Sequence, residues 1–524
     1  KAVLLSAAKV ALLVALLVLT NKGLVARFQV LIDEQRLVTL VVFSALWMCA
    51  IAAVLAAAFH RSPVVRVVWA VPLAAAGASA FGYHLVQGSE FFIFDVLNFW
   101  AARHEAGRAM EFYSAAVGPS ILVFGLGIAA IAMPSGLSFS VSPRIRVAQA
   151  LLPAVPIVLI ALVVIYREGK GSEAMPKQFS PISLAALAAY KLGTGMYVPR
   201  DPVALQPGRP LVRALVMMVD ESMRADFVSL DPGNAVTPAF AEERRRWIDF
   251  GPAVSSGNCS NISNAMLRFM AERRNLVASV VKNPTIWQYA KAAGFRTVFI
   301  DAQAGFITVY GKLQNYMTPT EAAWIDDIHK LDDDIPAYSL DDELVRIALE
   351  ELARGDRVFI YANKNGAHFP YINNAPGNEA VEQGPPGDDP ATLAAYTKAV
   401  RWSTDRTMAR LTKEANWDGT TMVYTADHGQ NFSTGRLTHC SSVTNVNPNE
   451  GIVPLMVATE DQALRDRLTA VARNYPGKAS HFAIAPTLLE LMGYAPSDVS
   501  AIYDLSLLSH LPGYTVALND AVEP

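Results

Sequence analysis

Five apolar runs fill the first third of the chain, at residues 2–20, 37–59, 64–86, 115–133 and 148–166. Each is close to the length an α-helix needs to cross a bilayer, so the pattern predicts a five-helix transmembrane domain over residues 1–166. A cleaved signal peptide would account for the first run alone. Lys9 lies inside that run and is expected to snorkel toward the nearer interface. Between the third and fourth runs, Phe91-Phe92-Ile93-Phe94, then Leu97, Phe99, Trp100, Phe112 and Tyr113, alternate with Arg103, His104 and Arg108. This mixture predicts an interfacial helix near 91–113, either gripping a lipid headgroup or serving as a plain aromatic anchor.

From about Arg167 the hydrophobic period changes. Residues 167–209 read as a connector, with a short amphipathic helix before Lys191 that rests on the membrane. After Pro210, strand-like apolar runs at 214–219, 296–300, 357–361, 421–425 and 453–457 alternate with helical patterns at 285–293, 341–352, 390–414 and 482–491. That alternation predicts an α/β domain over 210–524, with a mostly parallel sheet and helices on both faces. The stretch 375–390, rich in Gly, Pro and acidic residues, reads as a surface loop.

Composition fits this division. A chain of 524 residues exceeds one ordinary domain, and its 52% hydrophobic content and mean hydropathy of +0.26 reflect the first third. A net charge of −3 gives no reason to expect nucleic acid. The spans carry few charges and most of the mass lies outside them, which argues against a transporter. The chain opens on Lys1 rather than methionine, so residues are expected to precede it. Arg61 and Arg66 mark one short loop, Arg144 and Arg146 another, and the positive-inside rule puts both in the cytoplasm. Everything after the fifth span is then exported. Lys22, Arg27 and Arg36 between the first two spans weigh the other way. Of three cysteines, Cys49 falls in the second span, facing lipid or packed. Cys259 and Cys440 fall in the exported domain, where both a bridge and free thiols stay open.

The chemistry concentrates at two strand ends. The run 214–219 ends in Asp220-Glu221, and the run 421–424 leads into Asp427-His428-Gly429. In open α/β sheets ligands gather outside the carboxyl ends of the strands. Carboxylates and a histidine there predict a bound divalent metal, zinc first and manganese second. A structural alternative is that Asp427 caps a helix and His428 is an ordinary loop residue.

With Glu221-Ser222-Met223-Arg224-Ala225-Asp226 in view, the chain resembles the lipid A phosphoethanolamine transferases. That family includes the mobile colistin-resistance enzymes and belongs to the alkaline phosphatase and sulfatase superfamily. The resemblance covers nearly the whole chain. It rests also on Gly257-x-x-Ser260-x-x-Ser263, Gly366-Ala367-His368-Phe369-Pro370-Tyr371, Asp427-His428-Gly429, the later His439 and the helix opening at Ser480-His481. It implies an N-terminal five-helix α transmembrane domain plus a C-terminal α/β alkaline-phosphatase-like (sulfatase-like) domain.

By the same resemblance, the metal ligands are Glu221, Asp427, His428 and the nucleophile itself. The family nucleophile is a threonine three residues after a glycine, and Ser260 stands at that position here. Cys259 is a rival, because sulfatases oxidise a cysteine to formylglycine, but the Cys-x-Pro-x-Arg context they need is missing from Cys259-Ser260-Asn261-Ile262-Ser263. His368 matches a histidine that binds the phosphate or a second metal, and His439 one that acts as general acid or base. Four further positions depart from the family. Asn363 stands where another histidine is common, Gln430 replaces a glutamate, and Gln303 and Ile307 stand where the donor pocket has an asparagine and a lysine.

The implied activity is transfer of phosphoethanolamine from phosphatidylethanolamine to an envelope glycolipid or glycan through phospho-Ser260, at the bacterial inner membrane, with the catalytic domain in the periplasm. Alternatives are a phosphoglycerol transferase of the same fold, a membrane-anchored phosphodiesterase, and a non-catalytic binding protein on a decayed enzyme scaffold.

Overall fold

The computed structural model describes residues 2–87, 90–93, 95–96, 110, 114–136, 142–167, 171–193, 199–303, 317, 319–331, 335–369, 371–377, 390–432, 438–441 and 447–509. The chain divides into two compact units, Lys1–Met196 and Tyr197–Pro524. Most of the expected interfacial helix near 91–113, including Phe94, Leu97, Phe99, Trp100, Arg103, His104, Arg108, Phe112 and Tyr113, lies outside the described residues, as do Ile307 and the middle of the 375–390 loop.

Among the described residues of the first unit, four helices are long and apolar enough to cross a membrane: α1 (Ala2–Thr20), α3 (Leu37–Ala58), α4 (Pro63–Gln87) and α5 (Ser114–Ala132). A shorter helix, α2 (Leu24–Asp33), occupies the first loop, which the hydrophobic pattern had left without structure. The fifth run is not one straight span. It is a pair, α6 (Pro143–Leu151) and α7 (Ala154–Tyr166), bent by 40° and counted as a fifth span only if taken together. Pro153 explains the break, since its ring lacks the N–H that would continue the ladder. The last helix, α8 (Ser180–Gly193), falls where the connector helix was expected.

Small residues let these helices approach closely. A side chain at Gly127 of α5 would meet the Ala74 Cβ of α4 at 2.6 Å, so only hydrogen fits there. Lys9 departs from its expected behaviour. Instead of reaching for the interface it is fully buried, and its ammonium donates to the carbonyls of Ile131 (2.9 Å) and Met133. The last carbonyls of a helix lack internal partners, and a cation satisfies both their hydrogen bonds and their dipole. Cys49 is a free, half-buried thiol in α3.

The second unit is built on a seven-stranded sheet in the order β2-β7-β6-β1-β5-β3-β4. The strands are β1 (Ala214–Asp220), β2 (Trp247–Val254), β3 (Arg296–Asp301), β4 (Asp327–Lys330), β5 (Val358–Asn363), β6 (Thr420–Ala426) and β7 (Ile452–Thr459). Strands β6, β1, β5, β3 and β4 run parallel, whereas β7 and β2 join antiparallel. Every residue of β1, β5 and β6 is buried, which is why these strands read as unbroken apolar runs rather than alternating ones. The parallel register places Asp220 beside Ala426 and Val219 beside Asn363. The residues that follow those strands therefore emerge together on one edge.

Candidate metal centre and active site

Glu221, Asp427 and His428 are all buried, and each offers a ligand atom within 4.8 Å of the others. Ser260 opens helix α9 (Ser260–Arg268), where unpaired backbone N–H groups and the helix dipole favour an anion. Its Oγ lies 3.2 Å from both carboxylate oxygens of Glu221 and 3.1 Å from His428 Nε2. His428 Nε2 is 3.4 Å from Glu221 Oε1 and 3.7 Å from Asp427 Oδ2. Ligands about 2.0–2.1 Å from a tetrahedral zinc sit roughly 3.3 Å apart, so these separations fit that ion. Asp427 Oδ1 accepts from the N–H groups of Ser222 (3.0 Å) and His428 (2.8 Å), while Oδ2 is buried with no hydrogen-bond partner among the described residues. An orphaned carboxylate oxygen of this kind is what a cation would satisfy.

The imidazole is oriented for the same task. His428 Nδ1 lies 2.8 Å from the Gly429 carbonyl, so it carries the proton and leaves the Nε2 lone pair facing Ser260 and Glu221. Without a cation the cluster holds protons instead. Burial and the facing Glu221 carboxylate push the Asp427 carboxyl up to about 8. For His428 burial opposes the charge, but the Asp427 and Glu221 carboxylates prevail and raise it to about 9. Burial also works against ionised Glu221, yet its contacts with His428 hold it well below the usual carboxylate range.

The backbone around the cluster explains the motifs. Ser263 Oγ donates to the Gly257 carbonyl at 2.9 Å, closing the loop that presents Ser260. A Cβ on Gly257 would lie 2.7 Å from Ile262. Gly366 takes a φ of +54°, and a Cβ there would strike the Glu221 carbonyl at 2.4 Å. Arg224 forms a bidentate pair with Asp226 (2.6 and 2.8 Å) and lies over the rings of Phe227 and Phe432, so it shapes the loop and is not a ligand. Asp220, the first carboxylate of its pair, is not at the cluster either. Its Oδ2 accepts from Lys364, Thr404 and Tyr424, because successive strand residues point to opposite faces.

The remaining sequence candidates sort by distance. His439 stacks on His428 with ring centroids 4.5 Å apart, and its ring is 6.4 Å from that of His368. Burial, with His428 and His368 nearby, pushes His439 well below its ordinary value. Gln303 Nε2 donates to Glu221 Oε2 at 2.8 Å. Asn363 stands farther back and donates to Asp301 at 3.0 Å. Both Gln430 side-chain polar atoms are buried with no hydrogen-bond partner among the described residues. Cys259 and Cys440 form a disulfide, which resolves the choice the sequence had left open and removes Cys259 as a rival nucleophile.

Residues missed in the sequence are Ser222, Lys364 and Glu450. Ser222 has a φ of +62° and donates its hydroxyl to Glu221 Oε1 at 2.7 Å. Fully buried Glu450 accepts from Asn258 Nδ2 (2.8 Å), Ser441 N (3.1 Å) and Ser441 Oγ (2.7 Å), tying the Ser260 loop to the His439 loop. No residue pattern in the chain marks any of the three.

Residues 213–494, over half of the chain, match the model of the Sulfatase family. The chain belongs to that family. No curated protein matches it. Among solved structures it is similar to the integral membrane lipooligosaccharide phosphoethanolamine transferase A (EptA) of Neisseria meningitidis, at 16% identity and a TM-score of 0.63, over 94% of this chain and 98% of that one. This family member therefore shares its two-part fold with a membrane enzyme along nearly the full length. The C-terminal periplasmic domain of EcEptC from Escherichia coli matches at 18% identity and a TM-score of 0.48, over 61% of this chain and 92% of that domain. A zinc complex of the same domain matches at 17% and 0.48, over the same shares.

Proposed function

We propose that the chain is a metal-dependent phosphoethanolamine transferase that uses Ser260 as its nucleophile. The observation that carries this reading is the convergence of the Ser260 hydroxyl on Glu221 and His428, beside an Asp427 oxygen with no hydrogen-bond partner among the described residues. Glu221, Asp427, His428 and Ser260 would hold a divalent cation, zinc by donor set, with manganese second. A cation bound there lowers the pKa of the Ser260 hydroxyl and offsets charge on the phosphoryl oxygens.

Ser260 Oγ attacks the phosphorus of phosphatidylethanolamine, the bond to the diacylglycerol oxygen breaks, and the proton lost by Ser260 ends on that oxygen. Phosphoethanolamine is left on Ser260. An acceptor hydroxyl of an envelope glycolipid or glycan then attacks the same phosphorus, and its proton passes by way of His439 to Ser260 as the Ser260–phosphorus bond breaks. His439, stacked on His428 and neutral near pH 7, offers a ring nitrogen for that relay. By the family resemblance His368 would hold a phosphoryl oxygen, which its place 6.4 Å from the His439 ring supports, and Gln303 donates to Glu221. The fold match to a membrane phosphoethanolamine transferase supports this reaction class. The apolar helices and the arginine-bearing loops support a multi-pass protein of the bacterial inner membrane. The disulfide supports a periplasmic location for the catalytic unit.

The test is the intact mass of the full-length enzyme after incubation in phosphatidylethanolamine vesicles. Wild type should gain one phosphoethanolamine and Ser260→Ala none. A Ser260→Ala protein that is still labelled refutes the assignment. Labelling from phosphatidylglycerol instead would make it a phosphoglycerol transferase, and steady release of free headgroup a phosphodiesterase.

A further inference from the structure

Behind the candidate metal centre lies a second charged cluster that the reaction does not use. Lys364 follows the last residue of β5 and is fully buried. Its ammonium donates to Asp220 Oδ2 at 2.6 Å, the Ser403 carbonyl at 2.9 Å and Thr404 Oγ1 at 3.3 Å, and lies 3.8 Å from Asp341 Oδ2. Thr404 and Tyr424 donate to the same Asp220 oxygen at 2.7 and 3.0 Å, and Asp220 Oδ1 accepts from the Glu221 N–H at 3.1 Å. Ser403 and Thr404 reach inward from a π-helical turn, Arg401–Asp405, inserted into a long helix. Such turns recur at functional sites.

Lys364 also meets Glu221 by a second route. Its carbonyl accepts from Gln303 Nε2 at 2.8 Å, and the same Nε2 donates to Glu221 Oε2 at 2.8 Å. Two residues on, Gly366 packs on the Glu221 backbone, and the Ala367 N–H donates to the Glu221 carbonyl at 3.1 Å. Asp341 fixes the start of this wrap by accepting from the N–H groups of Asn365 (2.7 Å) and Gly366 (3.0 Å). The segment then delivers His368. A buried ion pair is a poor device for stability alone, because desolvation of both charges offsets most of their attraction. Here it joins the residue before one candidate ligand to the segment that carries His368.

We propose that the Asp220–Lys364 pair is a positioning device for the metal centre: Lys364 sets the Glu221 carboxylate and the His368 loop without touching substrate or cation. This rests on the metal-centre reading above. Outer-shell partners of this kind change metal affinity by about 10- to 100-fold when removed.

The test is zinc affinity of the full-length enzyme by chelator competition, alongside transfer rate and thermal unfolding without metal. Lys364→Met leaves the Asp220 charge buried and unpaired and should unfold at lower temperature. The informative protein is the double variant Asp220→Asn/Lys364→Met, which removes both charges. It should unfold no earlier than wild type, yet bind zinc at least tenfold more weakly and transfer more slowly. A double variant with unchanged zinc affinity and rate overturns the proposal, and so does one that fails to fold, which would make the pair a folding determinant. Glu221→Gln separates the two readings: if it binds zinc as wild type does, the metal centre itself is misassigned.

Discussion

Cys259 and Cys440 are joined by a disulfide that closes 181 residues of sequence and sets the residue before Ser260 against the residue after His439. The Cys440 N–H also donates to the Asn258 carbonyl at 2.8 Å, and Cys440 holds a φ of +58°. The bridge therefore couples the candidate nucleophile to the candidate acid–base group without including any residue of the Glu221, Asp427 and His428 triad. Replacing both cysteines by serine should cost about 2–5 kcal/mol of stability. It should slow transfer more than it weakens zinc binding, because the triad lies on other segments. Thermal unfolding, zinc competition and transfer rate measured on one preparation check this. An equal loss of zinc affinity and rate would show that the bridge holds the ligands instead.

Ser260 lies at the first position of its helix with its hydroxyl among three polar atoms, two of Glu221 and one of His428. Threonine would offer the same oxygen with one added methyl group. Ser260→Thr should keep the transfer rate within about tenfold of wild type, equivalent to ~1.4 kcal/mol of barrier. Ser260→Ala should lower the rate on the order of a thousandfold or more, as removal of an attacking group does elsewhere. Labelling kinetics from a lipid donor compare them. Equal rates for the threonine and alanine variants would mean that the hydroxyl is not the attacking group.

Metal uptake should depend on pH in a definite direction. In the cation-free site Asp427 is pushed up to about 8 and His428 to about 9, so near neutral pH both hold protons that a cation must displace. Apparent zinc affinity should then climb as pH rises toward about 9, by up to roughly tenfold per pH unit for each proton released. Calorimetric titration in buffers of different ionisation enthalpy counts those protons. Zinc binding without proton release would place the ion somewhere else.

Much of this site was legible in the sequence because it hangs from strand ends. Strands buried on both faces are continuous apolar runs, so the parallel β1, β3, β5 and β6 and the antiparallel β7 declared themselves, and the residues just beyond β1 and β6 could be read as ligands. The two edge strands could not. Strand β2, Trp247–Val254, carries Asp249, Gly251 and Pro252 and breaks register between Asp249 and Pro252. Strand β4, Asp327–Lys330, is four half-buried residues, three of them charged or titratable. Edge strands tolerate proline and charge because one side makes no ladder bonds. Lys364 and Lys9 were hidden for a different reason. A buried lysine looks like any other lysine until its partners, 144 and 122 residues away, are brought to it.

His481 gives a pH signature separate from the metal. It is buried, its Nδ1 accepts from the Ser256 N–H at 3.1 Å, and Nε2 faces Thr425 Oγ1 at 3.3 Å. Burial pushes its pKa from 6.5 down to about 3. Between those values the unfolded chain holds a proton that the folded chain refuses, so stability rises with pH there. The His481 contribution is thus complete above about 6.5 and is lost as pH falls toward 3, with a slope of at most about 1.4 kcal/mol per pH unit. Above about pH 6.5 His481→Gln should lower stability by about 1–3 kcal/mol, since the Ser256 N–H loses a well-placed acceptor, and the gap should narrow as pH falls. The variant's decline between roughly pH 6.5 and 4.5 should be shallower than that of wild type. Denaturant unfolding of both proteins in detergent, followed by tryptophan fluorescence across that range, separates the offset from the slope. Parallel curves would mean that His481 takes up its proton in the folded protein as readily as in the unfolded chain.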